Sequence, residues 1–332
     1  MVRYRKILAA AVAPAVLLAL MVADMTAGTA EIATEDIISV LAGRDVPWQT
    51  RQIVLEIRTV RTISALLSGM AVGVCGLVMQ TLFRNPLAGP HVLGINAGAS
   101  LGAALFVLGT PFLSGGMALT ADIGLAGAAW AGAAAAMMIV AFASSRLRDI
   151  MTVLILGIMF SAGVDAIVQT LQFLGDNASL KSYVLWTMGS LGSVSSSQLP
   201  LLAAGVCTGL LLAVLCVKSL DLLLLGEEYA VTMGLDVRRT RHLIYLSAIL
   251  LSGTVTAFCG PIGFLGLAAP HIARMLAGTS MHRRLLPWTA FTGAVLMLVC
   301  DIISRLWTLP VNAVASLLGI PVVIWIVLKY RK

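Results

Sequence analysis

The sequence predicts an all-α polytopic membrane protein with about ten transmembrane helices and an inverted internal repeat. Three observations carry that prediction. First, 59% of the 332 residues are hydrophobic and only 11% are charged, with mean hydropathy +0.99. A soluble domain carries roughly 25% charged residues, so this chain lacks the polar groups to face water all round. Second, the apolar residues gather into ten stretches, each near the roughly 20 residues a helix needs to cross a bilayer. Third, Leu87–Val92 (LAGPHV) matches Leu267–Ile272 (LAAPHI) at an offset of 180 residues. The same offset pairs Arg61 with Arg241, Gly73 with Gly253, and Ala97-Gly98 with Ala277-Gly278. The first copy begins outside and runs in, and the second begins inside and runs out. Spans 2–5 and 7–10 therefore form an inverted-topology repeat, an arrangement typical of transporters.

The ten spans fall at about 7–25, 60–82, 92–109, 121–143, 151–173, 198–217, 243–260, 263–278, 287–304 and 311–328. The first follows a basic start and precedes small residues at Thr29-Ala30, as in a signal peptide. Its apolar run is long for one, and its removal would leave an odd number of spans, so it reads as an uncleaved helix. In the outer segment after it, Thr34 fits a cap for a short helix carrying Glu35 and Asp36 and ended by Gly43. The second span stops at Pro86 and Pro90. Gly94, Ala97, Gly98 and Gly102 in the third, and the Ala- and Gly-rich fourth, suit close helix packing. GPIGFLG separates spans seven and eight. So little sequence is left over that residues 1–332 read as one membrane domain.

The net charge is +7, and its placement matters more than its size. With the N-terminus inside, sixteen of the 22 Lys and Arg fall on inner segments and six on outer ones. This bias puts both termini in the cytoplasm. The basic balance thus reports orientation, and no nucleic-acid partner is inferred. The five cysteines all lie in apolar segments without a C-x-x-C pair, and read as small core residues.

The longest polar interruption of the second half is Leu220–Arg241, LDLLLLGEEYAVTMGLDVRRTR. Gly226, Glu227 and Glu228 precede a possible helix through Tyr229, Ala230 and Met233, broken by Gly234; Asp236 fits the cap of a second short helix ended by Arg238, Arg239 and Arg241. Two short helices between apolar spans suit a docking surface, and an ordinary solvated loop is the alternative. On the fifth span, Ser161, Asp165, Gln169 and Gln172 share one helix face. An ionised carboxylate in lipid costs at least ~2.5 kcal/mol, so Asp165 faces protein or water. That face is either a pore lining or a hydrogen-bonded packing stripe. Arg58, Arg61 and Arg305 lie at outer membrane ends, where basic residues are scarce. They either pair locally, with Glu56 and Asp301, or engage a partner. His91 and His271 each follow a proline; the repeat puts them at opposite ends of their helices, unsuited to one metal site. No phosphate-binding loop, metal motif or catalytic constellation is present, so neither an enzyme nor a bound cofactor is expected on this chain.

Three stretches resemble one family: LFRNPLAGPHVLGINAGASLG, GPIGFLGLAAPHIAR and LPVNAVASLLGIPVVIWIVLK. They are similar to FecCD-type permeases, the membrane subunits of iron–siderophore, haem and vitamin B12 ABC importers. The resemblance covers nearly the whole chain. It implies ten helices, a second permease copy, two ATPase subunits holding ATP and Mg, a periplasmic binding protein and a place in the bacterial inner membrane. It implies that residues 219–241 couple to the ATPase. Arginines at the positions of Arg58, Arg61 and Arg305 would meet the binding protein's glutamates. The fifth and tenth spans would line the route with Ser161, Asp165, Gln169, Gln172, Asn312 and Ser316, closed at the inner ends by Asn85, Leu87, Met151 and Thr152. Asn312 departs from the family, which more often has a small residue there. The alternative function is a stand-alone secondary transporter driven by an ion gradient.

Overall fold

A computed structural model describes residues 2–28, 32–109, 121–146 and 150–330. Thr29-Ala30, Arg148, Arg331 and Lys332 lie outside the described residues. The ten apolar stretches are all helical: α1 (Val2–Thr26), α3 (Trp48–Leu82), α4 (Ile95–Val107), α5 (Ala121–Arg146), α6 (Ile150–Leu174), α8 (Leu199–Leu215), α11 (Val237–Cys259), α12 (Leu265–Ala277), α13 (His282–Trp307) and α14 (Val311–Tyr330). Shorter helices fill the connections: α2 (Thr34–Leu41), α7 (Asn177–Thr187), α9 (Val217–Leu223) and α10 (Glu227–Thr232). No strand occurs among the described residues. Among the described residues, five helices are long and apolar enough to cross a bilayer unaided, and α8 with α9 makes a sixth, bent by 55°. At 13 residues, α4 and α12 reach only about 20 Å, short of the ~30 Å hydrocarbon core. The irregular backbone before them is buried in protein at Ala88–Pro90 and at Gly260 and Ile262, which is where non-helical backbone is tolerated at membrane depth.

Helix packing obeys the repeat. Exchanging α3, α4, α5 and α6 for α11, α12, α13 and α14 turns each main contact pair into another observed pair. Thus α4 on α5 becomes α12 on α13, α3 on α13 becomes α11 on α5, and α4 on α6 becomes α12 on α14. Glycines make the closest crossings. A Cβ on Gly69 would lie 2.3 Å from the Gly293 carbonyl oxygen, and one on Gly98 2.4 Å from that of Gly132. Backbones so close gain dispersion contacts that larger residues would prevent.

Four local expectations change. Thr34 is the first residue of α2, and Ala33 occupies the cap position without a side-chain bond; Gly43, at φ 73°, closes the helix as expected. Asp236 does cap a helix, accepting from the Arg239 amide. That helix, however, does not end at Arg241. Nothing in HLIYLSAILLSG breaks it, so it continues through a π turn at Ile249–Gly253 to Cys259. Arg238, Arg239 and Arg241 therefore occupy the first turns of α11. The two proline–histidine motifs also differ. LAGPHV leads into a 3-10 turn (Pro90–Leu93) that stops at Gly94 with φ 73°, whereas LAAPHI lies inside α12. Glycine allows that left-handed turn, and Arg274, the residue matching Gly94, keeps the helix going. Finally, the segments that carry the two motifs meet. His271 Nε2 lies 3.1 Å from the Pro86 carbonyl oxygen, and a Cβ on Gly266 would lie 3.3 Å from Pro90 Cδ. The repeat's two halves meet there, and His271 has a backbone partner in the Pro86 carbonyl.

Candidate functional site

At the end of the molecule bearing Asn85, the α9–α10 segment lies against α11 and α13. Gly226 turns the chain with φ 109° and Gly234 with φ 84°, conformations costly for other residues. Leu220, Leu223 and Ala230 are buried and anchor the segment, while Leu224, Leu225, Tyr229, Val231 and Met233 are exposed. The predicted interface residues thus divide. Glu228 and Tyr229 face outward, and Ala230 is a buried anchor. Glu227 is paired within the chain, accepting from Arg241 Nη2 at 2.6 and 2.7 Å. This fork fixes α10 on the first turns of α11.

Beside it, Asn85 Oδ1 accepts from the Leu87 amide at 2.9 Å, an Asx turn that starts the chain into Pro90. Leu87, Met151 and Thr152 are exposed at the same helix ends. On α6, Val164 and Val168 pack inward, and Asp165 and Gln169 are exposed, with Ser161 and Gln172 half-buried. Ser161 bonds its own helix at the Gly157 carbonyl. On α14, Asn312 Oδ1 accepts from the Gly263 amide at 3.0 Å, and Ser316 donates to the Asn312 carbonyl. The asparagine holds the GPIGF connection, a use that a glycine there has no side chain to perform.

The opposite end holds a buried charge cluster. Arg61 donates to Asp301 through Nε and Nη2 at 2.7–3.0 Å. Arg305 donates from Nε to Asp301 at 2.9 Å and from Nη1 to the Asp24 and Ala27 carbonyls. Its Nη2 lies 3.2 Å from Asp24 Oδ2. Thr62 donates to Asp24, whose Oδ1 has no partner among the described residues. Both aspartates are fully buried; the Arg305 side chain is 8% exposed and that of Arg61 23%. Arg58 is buried, with Nη1 on the Met25 carbonyl at 2.6 Å. The three arginines line one cavity of about 710 Å³, together with Ile57, Met188 and Pro310. Local pairing is therefore real for Arg305 with Asp301. Asp24 was missed from sequence, although a lone acid in an apolar span requires a partner.

A second missed group lies at the Asn85 end. Asp221 accepts from both the amide and Nδ1 of His282, whose Nε2 lies 2.8 Å from Thr81 Oγ1. Among the described residues, no three His, Cys, Asp or Glu side chains gather to hold a metal. The five cysteines are free, four of them buried.

Residues 16–329 match the FecCD transport family. The chain is 36% identical over 293 residues to the hemin transport system permease protein HmuU of Yersinia pestis, covering 87% of this chain and 86% of that protein. It is 34% identical over 286 residues to the vitamin B12 import system permease protein BtuC of Vibrio cholerae, covering 84% and 83%. Its fold superposes with TM-score 0.82 and 26% identity on a structure described as an inward-facing conformation of a metal-chelate type ABC transporter, covering 96% of this chain and 98% of that one. An all-helical fold with paired repeats, matched over nearly its whole length, places this protein plainly: it belongs to the FecCD transport family.

Proposed function

We propose that this chain is the membrane permease of an ATP-driven importer that moves a haem, metal-chelate or cobalamin-type substrate into the cytoplasm. The observation that carries it is the α9–α10 segment, residues 219–241, which presents exposed Leu225, Tyr229 and Met233 on a rigidly anchored platform. Short helices with apolar faces suit a groove on a separate ATPase subunit, which would hold ATP and Mg. A secondary transporter has no use for such a platform. The relatives are permeases of haem and B12 import systems, so the ion-driven alternative is not favoured.

The rest of the assembly follows the same reading. The chain acts as one permease domain, both termini in the cytoplasm of a bacterial inner membrane. Two copies and two ATPases form the core, and a periplasmic binding protein docks at the Arg61 end. The apolar residues exposed on α5 and α6, such as Met138, Ile139 and Met159, suit lipid or the second copy. Docking narrows from three arginines to one. Arg58 and Arg305 are turned into their own protomer, whereas Arg61 keeps Nη1 outside its pairing with Asp301. Asn85, Leu87, Met151 and Thr152 close the route on the cytoplasmic side, and the α6 face lines it.

In proteoliposomes, uptake is expected to require the partner ATPase and ATP, and to be indifferent to collapsed ion gradients. Tyr229→Asp with Met233→Asp should leave the permease folded but lower ATPase co-purification and uptake at least tenfold. Uptake driven by an ion gradient without ATP would sink the proposal. The route is checked separately: a cysteine at Gln169 should react with a charged thiol reagent several-fold faster than one at Ile167. Equal rates would mean that the polar face of α6 is packing rather than a water-lined path.

A further inference from the structure

The polar chain beginning at Asp221 leads from the ATPase-facing segment to the inner end of the route. Asp221 is in α9, with its side chain 27% exposed. It takes two donors from His282 at the start of α13, the amide at 2.8 Å and Nδ1 at 2.7 Å. That pair places a ring proton on Nδ1, so Nε2 is the acceptor toward Thr81. The Thr81 hydroxyl lies 2.8 Å from Nε2 and 3.0 Å from the Leu77 carbonyl oxygen of its own helix, and its one proton is shared between these two acceptors. His282 and Thr81 are both buried, at 0% and 2% exposure. The neighbouring Gln80 then carries the network from α3 to α12. Its Oε1 accepts from Arg274 Nη1 at 2.8 Å, and its Nε2 donates to the Leu267 carbonyl at 3.3 Å. One turn along α12, His271 meets the Pro86 carbonyl, next to Asn85 and Leu87. Every link is a side-chain hydrogen bond from one helix to another, or to the Pro86 turn at the end, or a step of one residue or one turn along a helix.

We infer that Thr81 and His282 are positioning residues for coupling, which tie the angle of the α9–α10 segment to the Asn85–Leu87 turn. The inference rests on the docking of an ATPase at that segment. Apolar contacts alone allow helices to slide, because they are non-directional. Buried hydrogen bonds do not slide: breaking one leaves an unsatisfied group, so the links move together or separate as a step. His282 thus passes a displacement of α9 to α3 rather than absorbing it. No catalytic role follows from the Asp–His–Thr order, because Thr81 is closed to any substrate.

The test uses the complete complex of permease, ATPase and binding protein in proteoliposomes, and measures substrate imported per ATP hydrolysed. Thr81→Val keeps the shape and removes the hydroxyl; Thr81→Ala is the second variant, free of any clash. ATP hydrolysis should stay within about twofold of wild type, while import per ATP falls about tenfold, a coupling loss in the usual allosteric range. Thr81→Ser should restore most of the ratio. Wild-type import per ATP in both hydroxyl-free variants would overturn the inference. So would a parallel loss of ATP hydrolysis and import, which marks a plain structural post. Failure of the docking reading shows differently, as wild-type complex whose import ignores ATP.

Discussion

Gly76→Ala is expected to abolish accumulation of folded permease. Gly76 lies on α3, the helix that α8, α12 and α13 all contact. A Cβ there would stand 1.8 Å from the Gly266 carbonyl oxygen and 2.6 Å from its carbon. Both are backbone atoms of α12, so no rotamer change relieves the clash and the two helices must part. Extra methylenes in a packed core cost about 1–3 kcal/mol when side chains absorb them, and this site belongs above that range. Separation would also open the Gln80–Leu267 and Arg274–Gln80 hydrogen bonds, which join the same two helices. Gly127→Ala is the control. A Cβ at Gly127, on α5, meets nothing within 4 Å, and alanine favours a helix over glycine by roughly 1 kcal/mol. Size-exclusion profiles of detergent extracts should show a single peak for the control and none for Gly76→Ala. A Gly76→Ala protein with the wild-type peak and melting temperature would refute the close crossing.

Asp301→Ala should cost about 3–5 kcal/mol of stability, as expected when one member of a buried ionic cluster is removed. Asp301 takes both Arg61 and Arg305, so its loss leaves two cations facing each other in a site largely closed to water. Asp24 then partners Arg305 alone. Adding Arg61→Met to Asp301→Ala should recover part of the loss by removing one unpaired cation, whereas two independent sites would add their costs. A melting temperature for Asp301→Ala within 2 °C of wild type would show that water reaches the cluster freely. The same residues test docking. Arg61→Ala leaves Asp301 paired with Arg305, so the fold should survive while binding-protein affinity falls several-fold and loses part of its salt dependence. Unchanged affinity would confine Arg61 to an internal role.

The properties legible in the sequence are those a segment carries by itself. Ten apolar stretches became ten helices because a chain this poor in charge satisfies its backbone in lipid only within each segment. Gly98 and Gly102 of the third span make the close crossings expected of them and Asp236 caps its helix, whereas Gly94 serves a left-handed turn instead. The continuation of α11 past Arg241 is legible too, because HLIYLSAILLSG holds no breaker before its last residue.

Partners decided by folding were not legible. Arg61 and Asp301 are 240 residues apart and Thr81 and His282 are 201 apart, and no local spacing announces either pair. The sequence offers the outer arginines either local carboxylates, Glu56 and Asp301, or a partner; in the fold, Asp24 and Asp301 turn Arg61 and Arg305 into a buried cluster, because a charge removed from water takes the nearest opposite charge. Likewise LAGPHV and LAAPHI are nearly the same words, yet one breaks and one stays helical, through Gly94 against Arg274. Local composition thus settled which ten apolar stretches become helices and the family to which they belong. Only the tertiary structure decided which polar groups face a partner and which face each other, because that choice depends on where crossing helices bring residues distant in the chain.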